Sequence, residues 1–407
     1  MQPKIFDLCI IGAGMYGSAA ARHASAHSAV KVCLIGPSEP KEDERETRDI
    51  LSSHYDEGRI VHIAYASPVM QVLVRNTIKR FREIEKLSGI NIFSPVGTIF
   101  TAERDTSFFY KLLQGFEMHD VNYIDLSKED IMKQRFPYLK LEDCDHPLFA
   151  DDRAGYIKAR GMVEAQKKIA HLQGCHIVDD VAEEVKDFKD GAHQIITKKG
   201  HVLKAKKILF CTGAFTAFKK FDPLKKKLKI QVKRETAVMM RISEGEKNRL
   251  GSMPTLMMYR DNLADMPAAA KGAYILPPIR YPDGHWYLKI GHMGIQRNSE
   301  LNTLEEIKEW YKSDGDQEVL DKYSKFLIGI IPGLKVEEVK GKTCVTCDSP
   351  SDLPYIDRIS PTVTVAVVGN GRGATICDEV GRIAADLSLT GKWNSELPQK
   401  LFEAIFI

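Results

Sequence analysis

The sequence predicts an α/β chain of two intertwined domains: a Rossmann-like dinucleotide-binding domain, discontinuous along the chain, and a second domain on an antiparallel sheet, inserted twice into the first. Three observations predict it. A glycine-rich turn near the N-terminus stands between two apolar strands, and two later segments, near the middle and the end, again pair a strand with a glycine turn. The stretches between them carry alternating apolar patterns instead.

Taken in order, "IFDLCIIG" is a short apolar strand, "GAGMYGSAAARHAS" supplies glycines at 12, 14 and 17 and then helix-forming alanines, and "VKVCLIG" is a second buried strand. In such a βαβ unit the first glycine makes the tight turn, the second lets backbone approach a pyrophosphate, and the third lets helix and strand pack closely. An acidic ribose ligand is expected where the second strand ends. Gly36 stands there, followed by "PSEP", which leaves Ser38, Glu39 or backbone to serve. Further on, "RGMVEAQKKIAHLQGCHIVDD" reads as helix, glycine turn and strand, and "KAKKILFCTGAF" as a strand breaking at Thr212-Gly213-Ala214. The latter is either a close approach to a cofactor or an ordinary tight turn. Near the end, "TVTVAVVGNGRGATICDEVGRIAADLSLTG" gives a β-branched strand, a loop with Gly369, Gly371 and Gly373, and a helix from about Thr375. Alternating runs such as "IQVKRETAVMMRI" and "GAYILPPIRYPDGHWYLKIG" belong to the inserted domain, with Pro282-Asp283-Gly284 as a hairpin turn. The expected boundaries are 1–90, 151–225 and 336–407 for the dinucleotide domain, and 91–150 and 226–335 for the substrate domain.

At 407 residues and 43% hydrophobic content the chain can bury a large core, and its 58 Lys plus Arg against 55 Asp plus Glu imply neither a nucleic-acid nor a membrane partner. No apolar stretch approaches the ~20 residues that span a bilayer. A soluble, cytoplasmic protein is expected, and the C-terminal "AIFI" gives no support for a peroxisomal address. Eight scattered cysteines (9, 33, 144, 175, 211, 344, 347, 377) read as reduced, buried thiols. Two of them form "GKTCVTCDSP". A metal knuckle would need a second ligand pair, which the sequence does not offer; a thioredoxin-like pair would need a helix where Asp348-Ser-Pro follows. A covalent anchor and two inert thiols both remain open.

The N-terminal glycines, "SSHYDEGRIVHIAY" (52 to 65), "WYLKIGHM" (286 to 293), and "KTCVTC" followed by "GNGRGA" resemble, across essentially the whole chain, the flavin-dependent amine oxidases that include monomeric sarcosine oxidase, pipecolate oxidase, N-methyltryptophan oxidase and fructosyl-amino-acid oxidase. The resemblance implies FAD, bound by Gly12, Gly14, Met15, Tyr16, Gly17, Ser38, Ser53, Arg59, Gly213, Gly369, Gly371, Arg372, Gly373 and Thr375, and anchored covalently through Cys344, with Cys347 a bystander. It implies that the Lys289 ammonium promotes reaction with oxygen and that Arg59 stabilises negative charge on the ring. Two departures matter. His62 stands where the family has a second arginine, and Arg372 and Thr375 stand where its last loop has a histidine and a lysine. The usual carboxylate clamp is therefore altered, and plain sarcosine is not the expected substrate. Either Arg372, His62, Arg260 or Arg280 replaces the clamp, or the substrate presents another group. His62, Tyr259, Tyr274 and Arg372 are the expected pocket residues, and Lys289, Arg59 and His62 the expected catalytic ones. The implied reaction takes a secondary or primary amine to an imine, with oxygen reduced to hydrogen peroxide. A flavin dehydrogenase with another acceptor, or an inactive flavin-binding protein, are the alternatives. The implied partners are a small amine and oxygen, with no nucleic acid, membrane or metal, in a monomer or weak oligomer.

Overall fold

The computed structural model describes residues 5–128, 130–142, 145–151, 153–188, 191–259, 270–294 and 299–407. Its two large sheets divide the work that the sequence pattern foreshadows. The first has six strands in the order His176–Val178, Val32–Ile35, Leu8–Ile11, Ile208–Phe210, Val363–Val367 and Tyr355–Ser360. Neighbours among the first five are parallel and the last is antiparallel. Strands buried on both faces read as continuous apolar runs, and helices Met15–Ser25, Ala159–Leu172 and Gly373–Thr390 supply covering layers. The last helix begins two residues earlier than its sequence suggests, with Arg372 at its N-cap.

The second sheet has eight strands, in the order Glu338–Asp348, Gln231–Ile242, Trp286–Gly294, Ala270–Arg280, Thr255–Tyr259, Thr98–Glu103, Asp145–Ala150 and Ile124–Asp125. Its pairings are antiparallel except where Thr255–Tyr259 runs parallel to Thr98–Glu103, which is where the segments 226–335 and 91–150 meet. The expected hairpin turn is present: Tyr281 donates its N–H to His285 O at 2.9 Å, and Gly284 takes φ +85. Strand Glu338–Asp348, from the third segment assigned to the dinucleotide domain, forms this sheet's edge by pairing with Gln231–Ile242.

Register decides which side chains meet. Residues paired across a ladder share a sheet face, and residues two apart along a strand do too. One row therefore runs Lys342, Ala237, Gly291, Tyr274, Met257, Phe100, Leu148. Lys289 and Met239 precede it on that face, and Cys344, Glu235 and Tyr259 follow. The opposite face carries Val238, Met240, Leu256, Ile275, Leu288 and Ile290 and packs on helix Gln317–Ile330 through Val319, Tyr323 and Leu327. One face is core; the other holds Cys344, Lys289, Tyr259 and Tyr274. Among the described residues, no helix is long and apolar enough to cross a membrane.

Candidate functional site

A cavity of about 280 Å³ runs from the first glycine turn to the edge strand of the eight-stranded sheet. Gly12, Gly14, Met15 and Tyr16 wall one end, Gly213, Gly369, Gly371 and Gly373 flank it, and Ser53, Arg59 and Cys344 close the other. The three strand-and-glycine segments thus converge on one space.

The turn at 12–17 is built for close approach. Gly12 has φ +106, and a Cβ there would overlap the Cys211 carbonyl; a Cβ on Gly17 would overlap Gly12 O. Helix Met15–Ser25 starts without a side-chain cap or an acid in its first turn, so its N–H groups and dipole are free for an anion. We expect Gly17→Ala to yield colourless protein of lower thermal stability, because overpacking of this order costs about 1–3 kcal/mol and also shifts the turn; cofactor content comparable to wild type would contradict this. The absent ribose acid has a steric cause, since a Cβ on Gly36 would overlap Ala13 N.

The last loop is strained and pinned. Val368 and Asn370 take φ +74 and +47, which for a β-branched residue costs on the order of 1–3 kcal/mol. Tyr16 donates its hydroxyl to Val368 O at 3.2 Å, Asn370 donates its N–H to Cys347 O at 3.0 Å, and Ser349 N–H reaches Asn370 Oδ1 at 2.9 Å. These bonds hold the backbone of 368–371 against the cavity.

At the far end, Arg59 donates to Ser53 O at 2.8 Å and Gly58 O at 3.1 Å and pairs with Asp56. Lys289, 1% exposed, donates to Asp56 Oδ2 at 2.7 Å and Gly58 O at 2.5 Å. It does not line the cavity; the buried Asp56 carboxylate stands between it and Arg59. Cys344 is half-buried in the cavity wall, its carbonyl fixed by Trp310 Nε1 at 2.9 Å. Cys347 is buried, which pushes its thiol up to about 11.

The remaining expected residues lie outside that wall. His62 is buried, stacked on Tyr65 at 4.3 Å and set edge-on to Phe100 at 5.0 Å. Burial pushes its imidazole down to about 3, so it is neutral, and its Nδ1 has no hydrogen-bond partner among the described residues. Tyr259 stacks on Phe108, and Tyr274 lies over Gly291, where a Cβ would overlap its ring. Burial raises both phenols, Tyr274 to about 12. Arg372 donates to Asp352 O at 3.0 Å and Oδ1 at 2.5 Å, and Thr375 Oγ1 donates to Arg372 O at 2.9 Å. Ser38 is not among the residues of the cavity wall, and its N–H donates to Asp179 Oδ1 at 2.7 Å, while Glu39 is paired with Arg160. Arg280 is exposed on its hairpin, and Arg260 lies outside the described residues.

The sequence pattern missed Asp56 and His54. His54 lines the cavity, shares a 2.6 Å hydrogen bond with Ser52 Oγ, and is pushed down to about 3, mainly by burial.

The family model described as FAD dependent oxidoreductase matches residues 7–387. The chain belongs to that family. Monomeric sarcosine oxidase of Bacillus sp. (strain B-0618) is 22% identical over 398 residues, spanning 96% of this chain and 94% of that one. N-methyl-L-tryptophan oxidase of Citrobacter koseri is 24% identical over 389 residues, spanning 94% of each. In three dimensions, NikD, an unusual amino acid oxidase essential for nikkomycin biosynthesis, superposes with a TM-score of 0.78 at 15% identity, covering 99% of both chains. The L-proline dehydrogenase of P. horikoshii gives 0.75 at 16% identity, covering 98% of this chain and 97% of that one.

The residues of this FAD-dependent oxidoreductase fit the cofactor its family requires. Gly12 and Gly17 let the turn close on backbone where no Cβ would fit, Gly14 lines the cavity in front of an uncapped helix N-terminus, and the same cavity extends to Arg59 and Cys344.

Proposed function

We propose that this protein oxidises the C–N bond of a secondary or primary amine to an imine, with oxygen as the acceptor and hydrogen peroxide as product. Similarity to sarcosine and N-methyltryptophan oxidases along nearly the whole chain is the observation that carries the reading. In it Gly12, Gly14, Met15, Tyr16, Gly213, Gly369, Gly371 and Gly373 hold FAD through backbone, Ser53 and Arg59 meet its ring end, and Cys344 anchors it. Bound there, FAD supplies the two-electron acceptor for the hydrogen on the carbon beside the amine nitrogen.

The chain's own residues set what can bind. A carboxylate clamp needs free cations, and on the substrate side His62 is neutral while Arg372 is committed to Asp352. What surrounds them is aromatic and apolar: Tyr65, Phe100, Phe108, Met257 and Tyr259. The favoured substrate is therefore an amine with a bulky apolar or aromatic part. His62 Nδ1 serves as a hydrogen-bond acceptor, and the Tyr259 and Tyr274 phenols, held protonated, serve as donors. An amine that arrives deprotonated needs no protein base.

A panel of amines read by peroxide release tests this. Apolar and aromatic N-alkyl amines should turn over at least about tenfold better in kcat/KM than sarcosine, the penalty for a desolvated, unclamped carboxylate being a few kcal/mol. A preference for plain N-methyl amino acids would overturn the substrate class. Reduction of the bound flavin by amine without peroxide would assign another acceptor, and no reduction by any amine would leave a flavin-binding protein.

A further inference from the structure

Asp56 gathers four donors beside the cavity. Its side chain, 3% exposed, accepts from Lys289 Nζ at 2.7 Å on Oδ2, from the Tyr281 hydroxyl at 2.6 Å and the Glu57 N–H at 2.8 Å on Oδ1, and pairs with Arg59 through Oδ2 as well. Three elements meet there: the segment leading into strand Arg59–Val61, the hairpin turn at 281, and strand Trp286–Gly294. Arg59 lines the cavity and Lys289 does not, so the carboxylate is the link between a cavity-facing cation and a buried one.

We propose that Asp56 is a positioning residue, which fixes Lys289 as a charged ammonium behind Arg59 at the ring end of the cofactor cavity. The alternatives open to Lys289 explain the need. Two of its three N–H donors are taken up by Asp56 and Gly58 O, and the other groups acting on it are Arg59 from strand Arg59–Val61, Lys342 and Cys344 from the edge strand, and the Glu57 carboxylate. Burial, Arg59 and Lys342 press its proton off and pull the group well below the ordinary lysine range, so the charge depends on the 2.7 Å bond to the Asp56 carboxylate and the 2.5 Å bond to Gly58 O. An isolated ammonium in such a place gives up its charge, whereas one hydrogen-bonded to a carboxylate keeps it. Tyr281 and the Glu57 N–H in turn hold the carboxylate in one rotamer, so Lys289 has a fixed target.

The test uses holoprotein carrying 15N- and 13C-labelled lysine, with the Lys289 signal assigned by its loss in Lys289→Met. In wild type that signal should report an ammonium throughout pH 6 to 9. In Asp56→Asn it should titrate within or below that window. A Lys289 that stays charged to pH 9 in Asp56→Asn overturns the proposal. A stability cycle guards against mere misfolding: Asp56→Asn and Lys289→Met should each lower the melting temperature, and the double variant should lose less than their sum. Additive losses would count against the pair. The kinetic consequence rests on the oxidase reading above: in Asp56→Asn, flavin re-oxidation by oxygen should fall about tenfold per pH unit beyond the midpoint that the labelled lysine shows, while wild type stays flat. Wild type that ignores oxygen would overturn the acceptor, and the lysine titration would still decide Asp56.

Discussion

Acid precipitation of the holoprotein should leave its yellow colour in the pellet, Cys344→Ala should move all of that colour to the supernatant, and Cys347→Ala should leave it in the pellet. The two cysteines are three apart on one strand, so their side chains leave opposite faces of the sheet. Cys344 shares its face with Lys289 and Tyr274 and is half-buried in the cavity wall, and its thiol donates to Val345 O at 3.8 Å. Cys347 also borders the cavity, but it lies on the opposite face of the sheet, buried in the core cluster that includes Phe210, Tyr311 and Tyr355. A thiolate is the reacting form of cysteine, and burial pushes the Cys347 thiol up to about 11. Exposure therefore favours Cys344, and the raised thiol of the buried Cys347 counts against that second residue. Colour that stays with the Cys344→Ala pellet and leaves with Cys347→Ala would reverse the assignment; colour released from wild type would mean that the flavin is not covalently held.

The parts of this molecule that were readable from sequence are those whose constraint is local. Gly17 and Gly369 answer to backbone within a few residues, and Gly12 and Gly371 to their own positive φ, which is why three scattered glycine turns group together in the sequence although their convergence on one cavity, and the press of Cys211 on Gly12, belong to the fold. The hairpin at Pro282-Asp283-Gly284 is local in the same sense. Asp56 is not. In "HYDEGR" it reads as an i,i+3 partner of Arg59 on a surface, and only the fold supplies Lys289, 233 residues away. The missing ribose acid is legible in the sequence, but its cause, the press of Ala13 against Gly36, belongs to the packing of helix on sheet. The substrate wall is intermediate. The replacement of basic residues at 62 and 375 could be seen, whereas the stacking of His62 on Tyr65 and the commitment of Arg372 to Asp352 depend on contacts no spacing encodes. Strand Glu338–Asp348 shows the same limit: its residues follow the pattern of any strand, and its place at the edge of the eight-stranded sheet is fixed by eleven pairings with Gln231–Ile242.

Asp378→Asn should cost about 3–5 kcal/mol of stability at pH 7, the penalty for leaving buried charges without their counter-ion. In "ICDEVG" this residue looks like any polar position on a helix, yet it is fully enclosed. Its carboxylate accepts from Arg22 at 2.7 Å and Gln166 at 2.8 Å, pairs with Arg80, and lies 3.2 Å from His23 Nε2. Through those partners it ties together helix Met15–Ser25, the residues just beyond Pro68–Ile78, helix Ala159–Leu172 and its own helix Gly373–Thr390. Two of these helices start at the cofactor cavity, so loosening them should also weaken FAD retention. Burial alone would raise the carboxyl, but the hydrogen bond with His23 and the charges of Arg22 and Arg80 outweigh it and hold the group well below the usual carboxylate range; burial and the same arginines push His23 down, so the two guanidiniums are the counter-charges at pH 7. A depressed folded-state value stabilises the native form at every pH above the unfolded value of about 3.9. The stability gap between wild type and Asp378→Asn should thus stay constant from pH 5 to 8 and close only as pH falls below about 4. Urea unfolding midpoints across that range measure it, with Asp386→Asn as the contrast: that carboxylate, 21% exposed, meets Arg382 at 3.1 Å, and its loss should cost no more than about 1 kcal/mol. Equal effects at the two positions would mean that the four helices are held by their apolar contacts and that the enclosed ion pairs contribute little beyond balancing their own desolvation.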